Sequence, residues 1–306
     1  MRRFAEQVAD AAGRERHLGW ALVVPALVVI VLVAIIPLGW TLSESLHQHD
    51  LRTPWRDRPF IGWANYAEAA HADRFWRALQ NTVFFTATSV ILEVGLGLAV
   101  ALALNHVRRA RGLTRTALLL PWAIPAAVVA LLWRFLFDAR AGFVNHVAAA
   151  LGLADAGLVW FSQPTLAWVP VILADVWKTT PFVALLLLAG LQGIDEGLYE
   201  SARIDGAGAA RRLLSITLPM LKPALLVTLV FRTLDGFRVF DLIYVMTGGG
   251  PGTATEPVAL YAFNIMLQDL RFGYGAAVSV VIFLVVFLLA VTYIGLLRAG
   301  LTEAAE

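Results

Sequence analysis

The sequence predicts an all-α integral membrane protein with six transmembrane helices and both termini on the cytoplasmic side. Three observations predict it. The chain is 59% hydrophobic and only 15% charged, whereas a soluble domain averages about 45–50% and about 25%. The apolar residues fall in six runs, near 20–42, 80–104, 115–137, 166–192, 223–246 and 276–298, each long enough to cross a bilayer at roughly 20 residues per span. The arginines concentrate in alternate loops, as the positive-inside rule requires. A net charge of +2 gives nucleic-acid binding no electrostatic support. The absence of cysteine excludes disulfides and thiolate metal sites.

Taken in order, residues 1–19 form a cytoplasmic segment carrying Arg2, Arg3, Arg14 and Arg16. The first run, WALVVPALVVIVLVAIIPLGW, is too long for a signal-peptide core and reads as a retained span. Pro25, Pro37, Pro121, Pro125 and Pro181 lie inside runs. Membrane bundles tolerate such prolines because neighbouring groups re-satisfy the freed backbone. Arg108, Arg109, Arg111 and Arg115 lie between spans two and three. Arg203, Arg211, Arg212 and Lys222 lie between spans four and five, and Arg298 follows the sixth. The first outer loop is the exception. It carries Arg52, Arg56, Arg58, Arg74 and Arg77 beside Asp50, Asp57, Glu68 and Asp73, and it is long enough to fold locally. One transmembrane domain over 20–298, with a cytoplasmic loop at 195–222 and a tail at 299–306, accounts for the chain.

The cytoplasmic loop contains YESARIDGAGAARRLLSITLPMLKP at 199–223. Asp195 is placed to cap a helix by accepting a backbone N–H. Leu198, Ser201 and Ala202 give that helix a small, smooth face. Gly206, after Asp205, is able to close it in the left-handed conformation, and Asp205 is placed to cap the next helix. That second helix is expected from about Ala207, ended by Pro219 and again by Pro223. Two readings fit: a structured connector, or a docking knob on which small residues allow close approach.

Charged residues inside the runs are the second feature: Glu93, Asp175, Lys178, Arg232, Asp235, Arg238 and Asp241. A central Arg, Lys or Asp costs about 2.5–3.5 kcal/mol on insertion, so four in the fifth span would cost roughly 10–14 kcal/mol unpaired in lipid. They must therefore face the bundle interior, a water-filled path or each other. On a continuous helix, positions 232, 235, 238 and 241 slip by about 60° per step, so they cannot all line one face. Neighbours can pair. Asp175 and Lys178 are also three apart, and an internal ion pair between them is the plain account. Each charge is either structural or in contact with a cargo. For a polyhydroxy cargo the candidates are Asn81 and Glu93 in span two, Trp177, Lys178 and Thr179 in span four, and Asp235, Phe237, Arg238, Phe240, Asp241 and Tyr244 in span five and its exit. TGGGPG at 247–252 suits an irregular backbone near that path, or a simple exit turn. His47, His49 and Asp50 in HQHD are a possible metal cluster, or three solvated side chains.

The pattern Glu200-Ser201-Ala202, three residues, Gly206, nine residues, Ile216-x-Leu218-Pro219 resembles the "EAA" loop of ABC-importer permeases, with Ser201 where that family usually has Ala. The stretches at 60–82, 118–145, 177–194 and 234–256, the last reading LDGFRVFDLIYVMTGGGPGTATE, are similar to carbohydrate permeases of the maltose type. WKTTPF and FRTLDGFRVFD most resemble the trehalose-importer permeases of mycobacteria. The resemblance implies a type I ABC-importer permease fold in the cell membrane and import of a sugar, trehalose. It implies that Glu200, Ser201, Ala202, Arg203, Asp205, Gly206 and Ala207 dock on an ATPase. It also implies the partners: a second, homologous permease, two copies of an ATP-binding subunit that hold ATP and Mg, an extracytoplasmic sugar-binding protein, and surrounding lipid. The chain has no G-x-x-x-x-G-K-[ST] loop around Lys178 or Lys222, so no cofactor is expected on it and it is not expected to be an enzyme. A carrier driven by an ion gradient, relaying a proton or cation through Glu93, Asp235 or Asp241, is the alternative. A non-transporting membrane scaffold is a third.

Overall fold

The computed structural model describes residues 19–105, 111–152 and 158–303. Arg2, Arg3, Arg14, Arg16, Arg108 and Arg109 lie outside the described residues, as do the side chains of Arg111 and Arg298. Among the described residues every regular element is helical, with two isolated β-bridges in the loops. In order the helices are α1 (Gly19–Ser45), α2 (Ala64–His71), α3 (Asp73–Asn105), α4 (Arg111–Ala123), α5 (Ala126–Leu136), α6 (Phe143–Ala150), α7 (Trp168–Leu191), α8 (Glu196–Ile204), α9 (Ala209–Phe237), α10 (Asp241–Met246), α11 (Val258–Leu267) and α12 (Phe272–Glu303).

Five helices, α1, α3, α7, α9 and α12, are long and apolar enough to span a bilayer. The third expected span is two helices, α4 and α5, bent by 83° at their junction. The bend falls at Ile124–Pro125. Pro125 has no N–H to continue α4 and takes φ −54°, ψ 138° as the residue preceding α5. The fifth expected span is also interrupted. α9 ends at Phe237, and α10 restarts at Asp241 after Phe240 takes φ −141°, ψ −68°.

Prolines elsewhere do not stop helices. Pro219 and Pro223 were expected to end the helix after Gly206, yet α9 runs through both. A π-helical turn at Leu213–Thr217 precedes Pro219, and the Leu218 N–H bonds to the Leu213 carbonyl five residues back. The wider turn accommodates the proline ring. The same device precedes Pro37, where the Ile36 N–H bonds to the Val31 carbonyl.

The chain divides into two compact units. One comprises the described residues up to 69 with 265–280, and in it the segment after α1 folds onto the end of that helix. The Gln48 N–H donates to the Pro59 carbonyl at 3.0 Å and the Ile61 N–H to the Leu46 carbonyl at 2.9 Å. Asn65 donates to the carbonyls of Ser45 and His47. Arg52 clasps Asp50 through Nε and Nη2, which holds that carboxyl down at about 2. Arg271 pairs with Glu68 at 2.7 Å.

In the other unit α3 packs along α7, with α9 against both. Apolar clusters form among the described residues. One gathers Phe85, Val129, Trp168, Val171, Leu242, Ile243, Met246 and Leu260. Another gathers Ala101, Val183, Leu187, Leu191 and Leu221. Along α3, Glu93 falls between these clusters in the sequence, and along α7, Asp175 lies within the first, flanked by Ala174 and Val176. Close approach of α3 and α7 depends on Gly97, where a Cβ would sit 2.5 Å from Val183 Cγ1 and 3.2 Å from the Ala184 nitrogen. Small residues at such crossings let membrane helices associate. Gly97→Val is expected to cost about 1–3 kcal/mol through overpacking, read as a lower melting temperature of the detergent-purified protein. An unchanged melting temperature would contradict the close crossing.

Candidate functional site

Three of the carboxylates inside the spans, Glu93, Asp175 and Asp235, converge on one guanidinium. Arg232, on α9, is buried. Its Nε and Nη2 donate to the two oxygens of Glu93 on α3, at 2.5 and 2.7 Å. Nη2 also reaches Asp175 on α7 at 3.2 Å, and Nη1 reaches Asp235 at 2.5 Å. Thr179, one turn beyond Asp175, donates to Glu93 at 2.6 Å. Three helices thus contribute to one cluster. A buried charge is tolerated when paired and hydrogen-bonded, and this arrangement meets both conditions.

One face of the cluster opens into a cavity of about 220 Å³, lined by Asp175, Lys178, Thr179, Arg232, Asp235, Arg238 and Asp241 with Phe85, Ala126, Gly236, Val239 and Leu242. Its wall carries three carboxylates, three cations and a hydroxyl around a small apolar floor. Such a wall presents hydrogen-bond donors and acceptors without a surplus of either charge. The break between α9 and α10 makes it possible. On a continuous helix Arg238 and Asp241 would diverge from Arg232, whereas the kink turns both toward the same cavity.

Of the residues picked out from the sequence, Lys178, Thr179, Asp235, Arg238 and Asp241 line this cavity. The expected Asp175–Lys178 pair is replaced. Asp175 is held by Arg232, and Lys178 Nζ donates to the Trp122 carbonyl at 3.4 Å. The Arg232–Asp235 pairing three residues apart is as expected. Glu93 is fully buried behind the wall. Asn81 is committed elsewhere, donating to the carbonyls of Thr253 and Glu256 at 3.1 and 3.0 Å. Trp177 packs on Trp133, and Phe237 is buried. Phe240 stacks on Tyr244 with both rings against Phe263. None of these four aromatic residues lines the cavity.

Sequence reading missed Arg74 and Glu256. Glu256 is buried, accepts two bonds from Arg74 at 2.9 and 2.8 Å and one from Asn264 at 2.8 Å, and so fixes the loop after α10 to the start of α3. That loop is the TGGGPG stretch, with positive φ at Gly248, Gly249 and Gly252. The ion pair spans 182 residues of sequence, and no local pattern announces it. His47, His49 and Asp50 do not converge. His47 turns to the Ser43 carbonyl, His49 to Glu44 and Asp50 to Arg52.

In the loop at 195–222, α8 has the two caps expected of it at Asp195 and Gly206. Asp195 accepts the Gly197 N–H at 2.9 Å. Gly206 has φ +77°. Its N–H bonds to the Arg203 carbonyl at 3.0 Å, and the Ala207 N–H to the Ala202 carbonyl at 2.8 Å, the paired bonds of a Schellman ending. Asp205 belongs to the end of α8, and the next helical stretch begins at Ala209 behind Gly208. Tyr199 reaches Thr217 at 3.0 Å and braces α8 on the π turn. Most of the remaining surface of α8 is exposed among the described residues. Ile204 is 87% exposed and Leu198 43%, so a small apolar patch stands beside Ser201 and Ala202.

Residues 94–299 match the family described as binding-protein-dependent transport system inner membrane component. The chain is 43% identical over 282 residues, 92% of its length and 94% of the relative's, to the trehalose/maltose transport system permease protein MalF of Thermococcus litoralis. It is 40% identical over 290 residues, covering 94% and 90%, to the trehalose transport system permease protein SugA of Mycobacterium tuberculosis. In fold it is similar to a chain in the crystal structure of a bacterial ABC transporter involved in the import of the acidic polysaccharide alginate. That likeness has a TM-score of 0.80 at 23% identity, over 94% of this chain and 96% of the other.

Proposed function

Because the chain belongs to the family of binding-protein-dependent transport system inner membrane components, we propose that it is the permease subunit of an ATP-driven importer whose cargo is the disaccharide trehalose. The observation that carries the reading is the identity of 43% across 92% of the chain with a trehalose/maltose permease. The cavity is chemically suited to it, since a sugar offers hydroxyls to donors and acceptors alike and an apolar CH face to Phe85 and Val239. Asp175, Lys178, Thr179, Asp235, Arg238 and Asp241 are the proposed cargo contacts.

The remaining parts of the machine are other chains: a second permease, two copies of an ATPase that hold ATP and Mg, and an extracytoplasmic sugar-binding protein. The α8 patch from Glu200 to Ala207 is the proposed seat on the ATPase. ATP shifts the equilibrium only through its preference for the closed ATPase, and the Schellman-capped helix passes that motion to α9 through Tyr199 and Thr217. This chain hydrolyses nothing itself.

Purifying the tagged chain in mild detergent and identifying what accompanies it tests the assembly. An ATPase, a second permease and a binding protein are the expected companions, and that binding protein is expected to bind trehalose. Uptake in vesicles driven by an ion gradient without nucleotide would overturn the reading. Within the cavity, Asp241→Asn is expected to slow uptake about tenfold, the rate equivalent of one charged hydrogen bond of about 1.5 kcal/mol. Unchanged uptake kinetics would remove Asp241 from the cargo wall.

A further inference from the structure

The first outer loop holds arginines where the distribution of charge argues against them, and its structure gives them a use. α1 carries Trp20 near one end and Trp40 toward the other, both largely exposed. The 20 residues between them rise about 30 Å, the thickness of a bilayer core. Tryptophans at both ends of a span mark the two membrane interfaces. α1 ends at Ser45, about 7–8 Å past Trp40 at 1.5 Å per residue, which is the headgroup zone.

The loop does not leave that zone. His47 pairs with Phe60 in an antiparallel bridge. Asn65 donates to the carbonyls of Ser45 and His47, and the Tyr66 hydroxyl meets that of Ser45 at 2.6 Å. Residues 46–66 are therefore stapled to the end of α1. From this stapled segment Trp55 is 78% exposed, Trp63 73% and Phe60 69%. Arg56 and Arg58 lie between these rings in the sequence TPWRDRPFIGW. Arg56 makes no ion pair among the described residues, and Arg58, its side chain 56% exposed, has only a long pair with Glu44 at 4.0 Å. Arg52 differs, being consumed by Asp50. Arg56 and Arg58 line a small hollow together with His49, whose Nε2 has no hydrogen-bond partner among the described residues.

We propose that residues 53–63 are an interfacial lipid-binding anchor, with Trp55, Phe60 and Trp63 seated among lipid headgroups and Arg56 and Arg58 on the phosphates of anionic phospholipids. Aromatic rings with one wet and one apolar side favour this zone. Arginine forks match phosphate oxygens, and each basic side chain near an anionic surface adds about 1 kcal/mol. The proposal rests on the span at α1 and is independent of the cargo.

The test uses the intact transporter complex in nanodiscs. Tryptophan quenching by lipids brominated near the headgroup is compared between wild type and a Trp55→Phe/Trp63→Phe variant. The expected result is loss of a shallow-quenched component in the variant. In parallel, the melting temperature is measured in phosphatidylcholine with and without phosphatidylglycerol. Wild type is expected to gain stability from phosphatidylglycerol and Arg56→Gln/Arg58→Gln to gain less, with inorganic phosphate giving neither protein a shift. Equal quenching in wild type and variant, or equal response of both proteins to phosphatidylglycerol, would overturn the proposal. So would quenching that appears only when partner proteins are stripped away, which would reassign the segment to a protein interface.

Discussion

Replacing Arg232 with methionine is expected to remove most of the folded protein from the membrane. That guanidinium is the shared partner of Glu93, Asp175 and Asp235. Without it Glu93, wholly buried, and Asp175 become uncompensated charges inside a helix bundle. Breaking a buried pair by removing one partner costs about 3–5 kcal/mol, a large share of the roughly 5–15 kcal/mol by which native proteins are stable. Melting in detergent should fall by roughly 10 °C, with a matching drop in the amount recovered from membranes. Removing charge on both sides discriminates the cause. Glu93→Gln combined with Arg232→Met leaves no bidentate pair to break and is expected to recover part of the loss, since a buried ion pair often adds little over neutral groups of similar shape. If the single variant melts like wild type, the cluster does not hold the bundle together.

The second large effect is expected at Gly206. Its φ of +77° with the two closing bonds from Gly206 and Ala207 sets where α8 ends. A β-branched residue is strained there, by at least the roughly 1–2 kcal/mol that a left-handed L-residue costs. Nothing lies within 4 Å of a Cβ at this position, so strain rather than a clash is the perturbation. Gly206→Val should therefore leave insertion and α9 intact while displacing Ile204 and Ala207. In proteoliposomes holding the complete transporter, the expected outcome is uptake reduced tenfold or more at near-normal melting temperature. Uptake per ATP equal to wild type would show that the shape of this turn does not matter to coupling.

The spans were legible because composition alone marks a bilayer-crossing run, and five of the six runs correspond to long apolar helices. The caps of α8 were legible for a related reason. Asp195 and Gly206 act within a few residues of themselves, so their chemistry is local. What sequence could not supply was the partner of each buried charge. Glu93 and Arg232 are 139 residues apart, and the nearest basic residue to Asp175 in sequence, Lys178, is not the one it uses. The proline errors have another cause. Pro125 breaks its span while Pro121, Pro181, Pro219 and Pro223 do not, and which outcome follows depends on backbone pairing, such as the π turn before Pro219, that residue types do not reveal. α11, only ten residues long, fell below the length that marks a span. Asn81 looked like a polar group in a membrane path, but it serves backbone carbonyls in a loop that lies far away in sequence.

The break between α9 and α10 separates two kinds of constraint. Arg232 sits on regular helix, locked to residues on α3 and α7, and changes there endanger folding. Arg238 and Asp241 sit six and nine positions later, on the irregular backbone and the first turn after it, both exposed to the cavity. They hold no other helix through an ion pair among the described residues. Substitutions at these two positions are therefore expected to alter the proposed cargo wall without touching the ion pairs that keep the bundle assembled. Placing the proposed cargo contacts at a kink, and the folding contacts on the regular helix before it, leaves the two free to vary independently.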